Sequence, residues 1–371
     1  MKRSRTRILD DFDGGKISRR QLLQALGAAV VAAPVASLAQ TAGGGRSAAP
    51  QDSTPLVPPF EATGWKTVWL DHLSYQCTDY RKAAAFYATL MGWKARSDDG
   101  KQAVLDIGEN SGGIVIRGGL TAPPPAAITD AGLGVSRPPV HAIFDGFAWG
   151  IEPWDADKVK AELEKRGLNP VADNIGDYRS FRVKDPDGFN LAITNGTKAL
   201  RRKGPATAKL PAPAPFEPTG WNTLYLDHIS FEVPDFRRSA AFYQALLGWT
   251  MRLGNGNQAS VQIGDIAGAI IRGNAATRAA ARGDAPAASA AAPAPKAANG
   301  LTAAIGHISF GIENWDTERV RAELKKRDVV YVNKEGQREP RPDMTGTLES
   351  FHVPDAMGWD LQIGNKISPT R

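Results

Sequence analysis

Residues 68–76 are rich in strand-forming types, with polar and apolar residues alternating over 72–76, and apolar side chains then recur at Ala83, Phe86, Tyr87 and Leu90. This switch from a period of two to helical spacing predicts a strand followed by a helix, opened by Asp79 and stopped by Gly92. Short strands are expected near Trp93, over 102–107 and over 113–117. The order then repeats: a strand before Trp154, a helix from Asp155 with Val159 and Leu163 inside and Gly167 at its end, and three strands closing over 191–194. Two further rounds follow, with helices opening at Asp235 and Asp316. The expected fold is α+β, one βαβββ unit written four times.

The units come in two copies. Residues 59–93, PFEATGWKTVWLDHLSYQCTDYRKAAAFYATLMGW, align without a gap on residues 215–249, PFEPTGWNTLYLDHISFEVPDFRRSAAFYQALLGW, with more than half the positions identical. The predicted organisation is a leader at 1–39, a linker at 40–58, module 1 at 59–196, a Pro/Ala/Lys linker at 197–214, and module 2 at 215–366. A low-complexity insert occupies 274–300, with 119–139 as its counterpart in module 1; both read as surface connections. Lys198, Arg201, Arg202 and Lys203 read as solvated linker charge.

Ser18-Arg19-Arg20-Gln21-Leu22-Leu23 opens an alanine-rich apolar run ending at Ser37-Leu38-Ala39, which resembles a twin-arginine export signal. It implies the twin-arginine export machinery as a partner and a periplasmic or secreted location. The leader's seven basic residues against three acidic ones carry most of the net charge of +6. No basic run interleaved with aromatics remains in the folded portions, so nucleic acid is not an expected partner. Cys77 is the only cysteine, which excludes an internal disulfide and a thiolate cage; it reads as a small buried residue.

Paired βαβββ units that open on Leu-Asp-His-hydrophobic-Ser and continue into an Ala-Ala-Phe-Tyr helix ending in Gly-Trp resemble the vicinal-oxygen-chelate superfamily. That group includes glyoxalase I, extradiol ring-cleavage dioxygenases, methylmalonyl-CoA epimerase and the bleomycin and fosfomycin resistance proteins. The resemblance covers nearly all of residues 59–366. It implies a curved sheet around a cleft in each module, with a divalent metal held from the first strand of each unit and from the last strand. In module 2 those positions are His228, His307 and Gln362; in module 1 they are His72, the region of Phe147 or Gly146, and Ala192.

The strands themselves point the same way. His228 and Ser230 share a face opposite Ile229 and Phe231, and His307 and Ser309 oppose Ile308, Phe310 and Ile312. Asp360 and Gln362 oppose Leu361 and Ile363, while Ser350 and His352 oppose Phe351 and Val353. One polar face of this kind reads as a ligand cleft. Module 1 keeps His72 and Ser74, but Phe147 and Trp149 are expected to put aromatic bulk where a ligand would stand, and Ala192 cannot coordinate. Module 1 is therefore read as structural or substrate-shaping, and His141 as incidental.

Two functions follow. One is a metal-dependent lyase, isomerase or dioxygenase that chelates a small oxygenated molecule on Fe, Mn or Zn, with His352 as general acid or base and Ser230, Ser309 and Trp359 towards substrate. His352 can equally be a histidine hydrogen-bonded at a strand edge. The other is a metal-free protein that binds or sequesters a small molecule. The neutral Gln362 where a carboxylate is usual, and the lack of a tyrosine over 353–362, separate this chain from the glyoxalase and ring-cleavage patterns. Homo-oligomerisation is compatible with either.

Overall fold

Each long helix starts where an aspartate can satisfy the free N–H groups of its first turn. In the computed structural model α1 is Tyr80–Met91, α2 Ala156–Lys165, α3 the single turn Lys198–Arg201, α4 Phe236–Leu247 and α5 Thr317–Lys326. Asp79, Asp155, Asp235 and Asp316 accept backbone N–H bonds from Lys82, Lys158, Arg237 with Arg238, and Arg319. The structure describes residues 55–121, 135–175, 177–201, 204–274, 277, 300–345 and 347–366. The expected leader and most of the insert lie outside the described residues.

The strands of module 1 are β1 Lys66–Cys77, β2 Lys94–Asp98, β3 Gln102–Asp106, β4 Gly113–Arg117, β5 Val135–Ser136, β6 Ala142–Glu152, β7 Val171–Ile175, β8 Tyr178–Lys184 and β9 Asn190–Thr194. Those of module 2 are β10 Thr223–Val233, β11 Thr250–Asn255, β12 Gln258–Ile263, β13 Ala267–Gly273, β14 Ala304–Ile312, β15 Tyr331–Asn333, β16 Arg338–Glu339, β17 Arg341–Thr345, β18 Leu348–Pro354 and β19 Asp360–Gly364. Two eight-stranded mixed sheets result, ordered β2-β3-β4-β1-β6-β9-β8-β7 and β11-β12-β13-β10-β14-β19-β18-β17. In each, the first strands of the two units lie side by side and antiparallel at the centre. The α+β class and the tandem pair of modules are as expected.

The apolar faces meet in a core shared between the modules. Trp93 Nε1 donates to Thr223 Oγ1 at 2.9 Å, and Trp249 Nε1 donates to Thr67 Oγ1 at 3.1 Å, a reciprocal exchange. Gly92 and Gly248, at φ 72° and 68°, end α1 and α4 against the other module's backbone. A Cβ on either would lie 2.1–2.2 Å from the carbonyl oxygen of Trp221 or Trp65, so glycine is required for contact as well as conformation. The turn after β18 places Asp355 under the hydroxyls of Tyr75 and Tyr87, at 2.5 and 2.8 Å. In the opposite direction Asp185 accepts from Tyr243 at 2.6 Å.

Two stretches expected to be surface connections are docked. Val135–Ser136 joins β15 and β16 in a third, three-stranded sheet, which ties the module 1 connection to module 2. Arg201 is not a solvated linker charge: it pairs with Asp71 and lies 4.0 Å over the Tyr178 ring. A buried carboxylate draws the linker in at that point. Cys77 is buried, as expected, and burial pushes its thiol up to about 12.

Candidate metal centre

Both candidate histidine ligands sit just past a β-bulge. In β10, Leu226 pairs with Phe310 and His228 with Ser309, so Asp227 is the extra residue. In β14, Ile305 pairs with Phe231 and His307 with Ser230, which leaves Gly306 extra. In a regular strand Leu226 and His228 would share a face. The bulge leaves Leu226 in the core and turns His228 to the concave side. It also lets neighbours in sequence touch: His228 Nδ1 lies 2.9 Å from Asp227 Oδ2.

That contact orients the ring, with Nδ1 held at Asp227 and Nε2 turned towards His307. Burial opposes the Asp227 charge, but the His228 hydrogen bond and the charges of His228 and Lys366 outweigh it and hold the carboxyl well below its usual range. Lys366 Nζ is 2.7 Å away and Tyr225 donates its hydroxyl at 3.1 Å. His228 Nε2 meets His307 Nε2 at 3.0 Å. Two imidazole nitrogens this close could both ligate one ion. Burial, followed by the neighbouring His352, His228, Arg272 and Arg341, drives the His307 pKa well down, so this ring is neutral and able to ligate.

The remaining polar groups complete the face. Gln362 follows Ser309 across the β14–β19 ladder and His352 follows Gln362 across β18–β19. Gln362 Nε2 donates to Ser350 Oγ at 2.8 Å, while its Oε1, like Ser230 Oγ and Ser309 Oγ, is buried with no hydrogen-bond partner among the described residues. Orphaned oxygens beside two converging imidazoles fit a divalent ion and its ligand. His352 is buried and its Nδ1 lies 3.0 Å from Asp360 Oδ2. His307, His352 and Asp360 offer ligand-type atoms within 4.8 Å of one another. Asp360 is nevertheless engaged, since Tyr331 donates to its Oδ1 at 2.9 Å and Arg137 approaches Oδ2 at 3.6 Å. It orients His352 in the way that Asp227 orients His228.

Several expected site residues need correction. Trp359 is in the core between modules, with its ring 4.4 Å from Phe144 and its Nε1 donating to the Ile305 carbonyl, so it does not line the cleft. In module 1 the residue paired with Ser74 is Gly146, and Ala148 pairs with His72. Phe147 and Trp149 face the opposite side, packed on Phe231 and Trp249, because a bulge at Asp145 shifts the register. Absence of side chains, not aromatic bulk, separates module 1 from module 2. His141 is exposed, and its backbone N–H donates to the Met357 carbonyl.

The model of the Glyoxalase/Bleomycin resistance protein/Dioxygenase superfamily matches residues 69–193 and 225–363. The chain belongs to this superfamily. Among solved structures it is similar to a Mn(II)-bound glyoxalase from Novosphingobium aromaticivorans, at 14% identity over 81% of this chain and 82% of that one, TM-score 0.51. It is also similar to homoprotocatechuate 2,3-dioxygenase from Arthrobacter globiformis, at 16% identity over 84% and 83%, TM-score 0.50. An extradiol ring-cleaving dioxygenase from B. fuscum matches at 16% identity over 86% and 75%, TM-score 0.51. At these identities the likeness is one of fold. No curated protein matches the chain.

Sequence reasoning missed Arg137, Arg341, and the roles of Asp227 and Asp360 as holders of histidines. The Asp-His pair at 227–228 was visible in the sequence, but regular alternation would put its members on opposite faces. Arg137 carried no local signal, because only the docking of β5 on β15 brings it to Asp360.

Proposed function

We propose that module 2 is the metal centre of an enzyme that acts on a small oxygenated molecule. The observation that carries this reading is the 3.0 Å convergence of His228 Nε2 and His307 Nε2, with Asp227 behind the first ring. His228, His307 and Gln362 Oε1 would hold the ion; Mn or Fe suits the relatives' chemistry, and Zn the ligand types. When bound, the metal supplies Lewis acidity to adjacent substrate oxygens. His352 accepts or returns a proton at Nε2, its ring fixed by Asp360 at Nδ1. The buried hydroxyls of Ser230 and Ser309 donate to substrate oxygens. The chemistry is of lyase, isomerase or dioxygenase type, and the Ser18–Leu23 pattern supports export by the twin-arginine route.

A second reading, metal-free binding of a small molecule, is favoured by one observation: Gln362 is neutral. Metal analysis of the full chain, purified without affinity tags or chelators, separates the two. The wild type is expected to carry close to one equivalent of metal, and a His228→Ala, His307→Ala double variant background only. Equal, negligible metal in both would leave the binding protein.

A further inference from the structure

Among the described residues three aspartates lie against a histidine Nδ1, and all three are held in one way. Each also accepts from a tyrosine hydroxyl and faces a cation. Asp71 has His72 at 2.9 Å, Tyr178 at 2.9 Å and Arg201. Asp227 has His228 at 2.9 Å, Tyr225 at 3.1 Å and Lys366 at 2.7 Å. Asp360 has His352 at 3.0 Å, Tyr331 at 2.9 Å and Arg137 at 3.6 Å. In the first two sets the cation is local, since Arg201 and Lys366 follow shortly after the last strands β9 and β19. In the third it comes from the other module. Arg341, the cross-strand partner of His352, also approaches Asp360, at 3.9 Å, but its side chain is 18% exposed against 4% for Arg137. Water does not screen a guanidinium buried to that degree, so it stays only where a carboxylate answers it.

Arg137 reaches Asp360 on a strap anchored on both sides. Before it, Ser136 pairs with Val332 and Val135 with Asn333, next to Tyr331 itself. After it, the His141 N–H donates to the Met357 carbonyl at 2.8 Å, and a Cβ on Gly358 would lie 2.3 Å from the Pro139 carbonyl oxygen. Pro138 and Pro139 fix their own φ, and Pro138 confines Arg137 to extended backbone. The guanidinium lies 5.9 Å over the Tyr331 ring. Module 1 pairs Lys184 with Asn190 where module 2 pairs Pro354 with Asp360, so no carboxylate at that position calls for such an arm.

We infer that Arg137 is a positioning residue of the module 2 site: carried over from module 1 on the strap 135–141, it fixes the Asp360 carboxylate, which fixes the His352 ring. The inference rests on the reading of His352 as the proton-carrying residue. Module 1 then completes the site of module 2 without lining its metal centre, and the orientation of His352 depends on the contact between modules. His72 and His228, whose aspartates are held locally, do not depend on it.

The test is ring-nitrogen NMR of the full chain labelled in histidine, with each histidine assigned by its own Gln variant. In wild type the two ring nitrogens of His352 should give sharp, well-separated signals, as a ring held in one orientation does. Arg137→Met keeps the stem on Tyr331 and removes the charge; it should broaden these signals and draw them together, while His72 and His228 stay in place. Arg137→Lys, which restores a positive charge, should recover most of the separation. Thermal melts check folding, and Arg137→Gln is the second neutral variant. Unchanged His352 signals in the neutral variants overturn the inference. An equal change at His72 and His228 also overturns it, because that marks a general loss of structure, and so does a Lys variant as altered as the Met variant. Adding Zn(II) to the same samples reads the metal proposal separately: if the His228 and His307 signals do not move, the metal reading falls, whatever His352 does.

Discussion

At matched register the two modules differ by a handful of side chains on one face. Module 2 runs His228, Ser309, Gln362, His352 across four strands; module 1 runs His72, Ala148, Ala192, Arg182. Ser230 faces His307 where Ser74 faces Gly146. Both modules keep the bulged Asp-His pair, since His72 Nδ1 is 2.9 Å from Asp71 just as His228 is from Asp227. The scaffold for the first ligand thus survives where the rest of the site does not. Module 1 is also closed at the second ligand position: a Cβ on Gly146 would lie 2.3 Å from the Asn190 carbonyl oxygen. Restoring ligands there would require the backbone to move. What module 1 gives to module 2 lies elsewhere, in Arg137 beside Asp360 and in Tyr75 and Tyr87 on Asp355.

The largest expected effect separates the two first-strand histidines. His228→Ala should reduce bound metal to background, while His72→Ala should leave it unchanged, as read by elemental analysis of each purified chain. Next, Gly146→Ala should destabilise the protein by about 1–3 kcal/mol in urea unfolding, because the added methyl meets backbone that cannot withdraw. A neutral result would show that module 1 can be refitted with a ligand.

The interface adds a pH test. Burial, with the charge of Asp187 second, pushes the Asp185 carboxyl up to about 7 despite the hydrogen bond from Tyr243. The folded state therefore binds this proton more tightly than the unfolded chain, whose aspartate titrates in the ordinary carboxylate range. The stabilisation is full below that range and is lost as pH rises through about 7. This contribution should lower the thermal midpoint between about pH 4 and pH 7. Asp185→Asn should flatten part of that slope; Asp187 and Asp355, which burial shifts in the same direction, contribute to the remainder. The smallest effect is expected from Tyr87→Phe, a loss of about 1 kcal/mol in the same unfolding measurement, since Tyr75 still donates to Asp355.

Much of this was legible from residue types alone. Asp79, Asp155, Asp235 and Asp316 marked the helix starts because capping is local, and Gly92 and Gly248 marked two ends for the same reason. The polar face of β18 and β19 followed from alternation, since no bulge interrupts that ladder. The faces of β10 and β14 could be read only from the histidines onward. Across Asp227 and Gly306 strict alternation fails, and in module 1 the same irregularity hid Gly146 behind the more conspicuous Phe147. Trp359 was misplaced because a tryptophan beside a cleft strand and one in an interface have the same sequence signal.

The sequence by itself determined the duplication, the α+β units and the identity of the residues able to ligate, because these depend on composition and on spacing within a few residues. Tertiary structure alone decided which of them converge. The 3.0 Å approach of His228 to His307 needs two strands distant in the chain, each bulged by one residue. The arginines around Asp360 come from β17 and from the far module, a proximity that only packing creates.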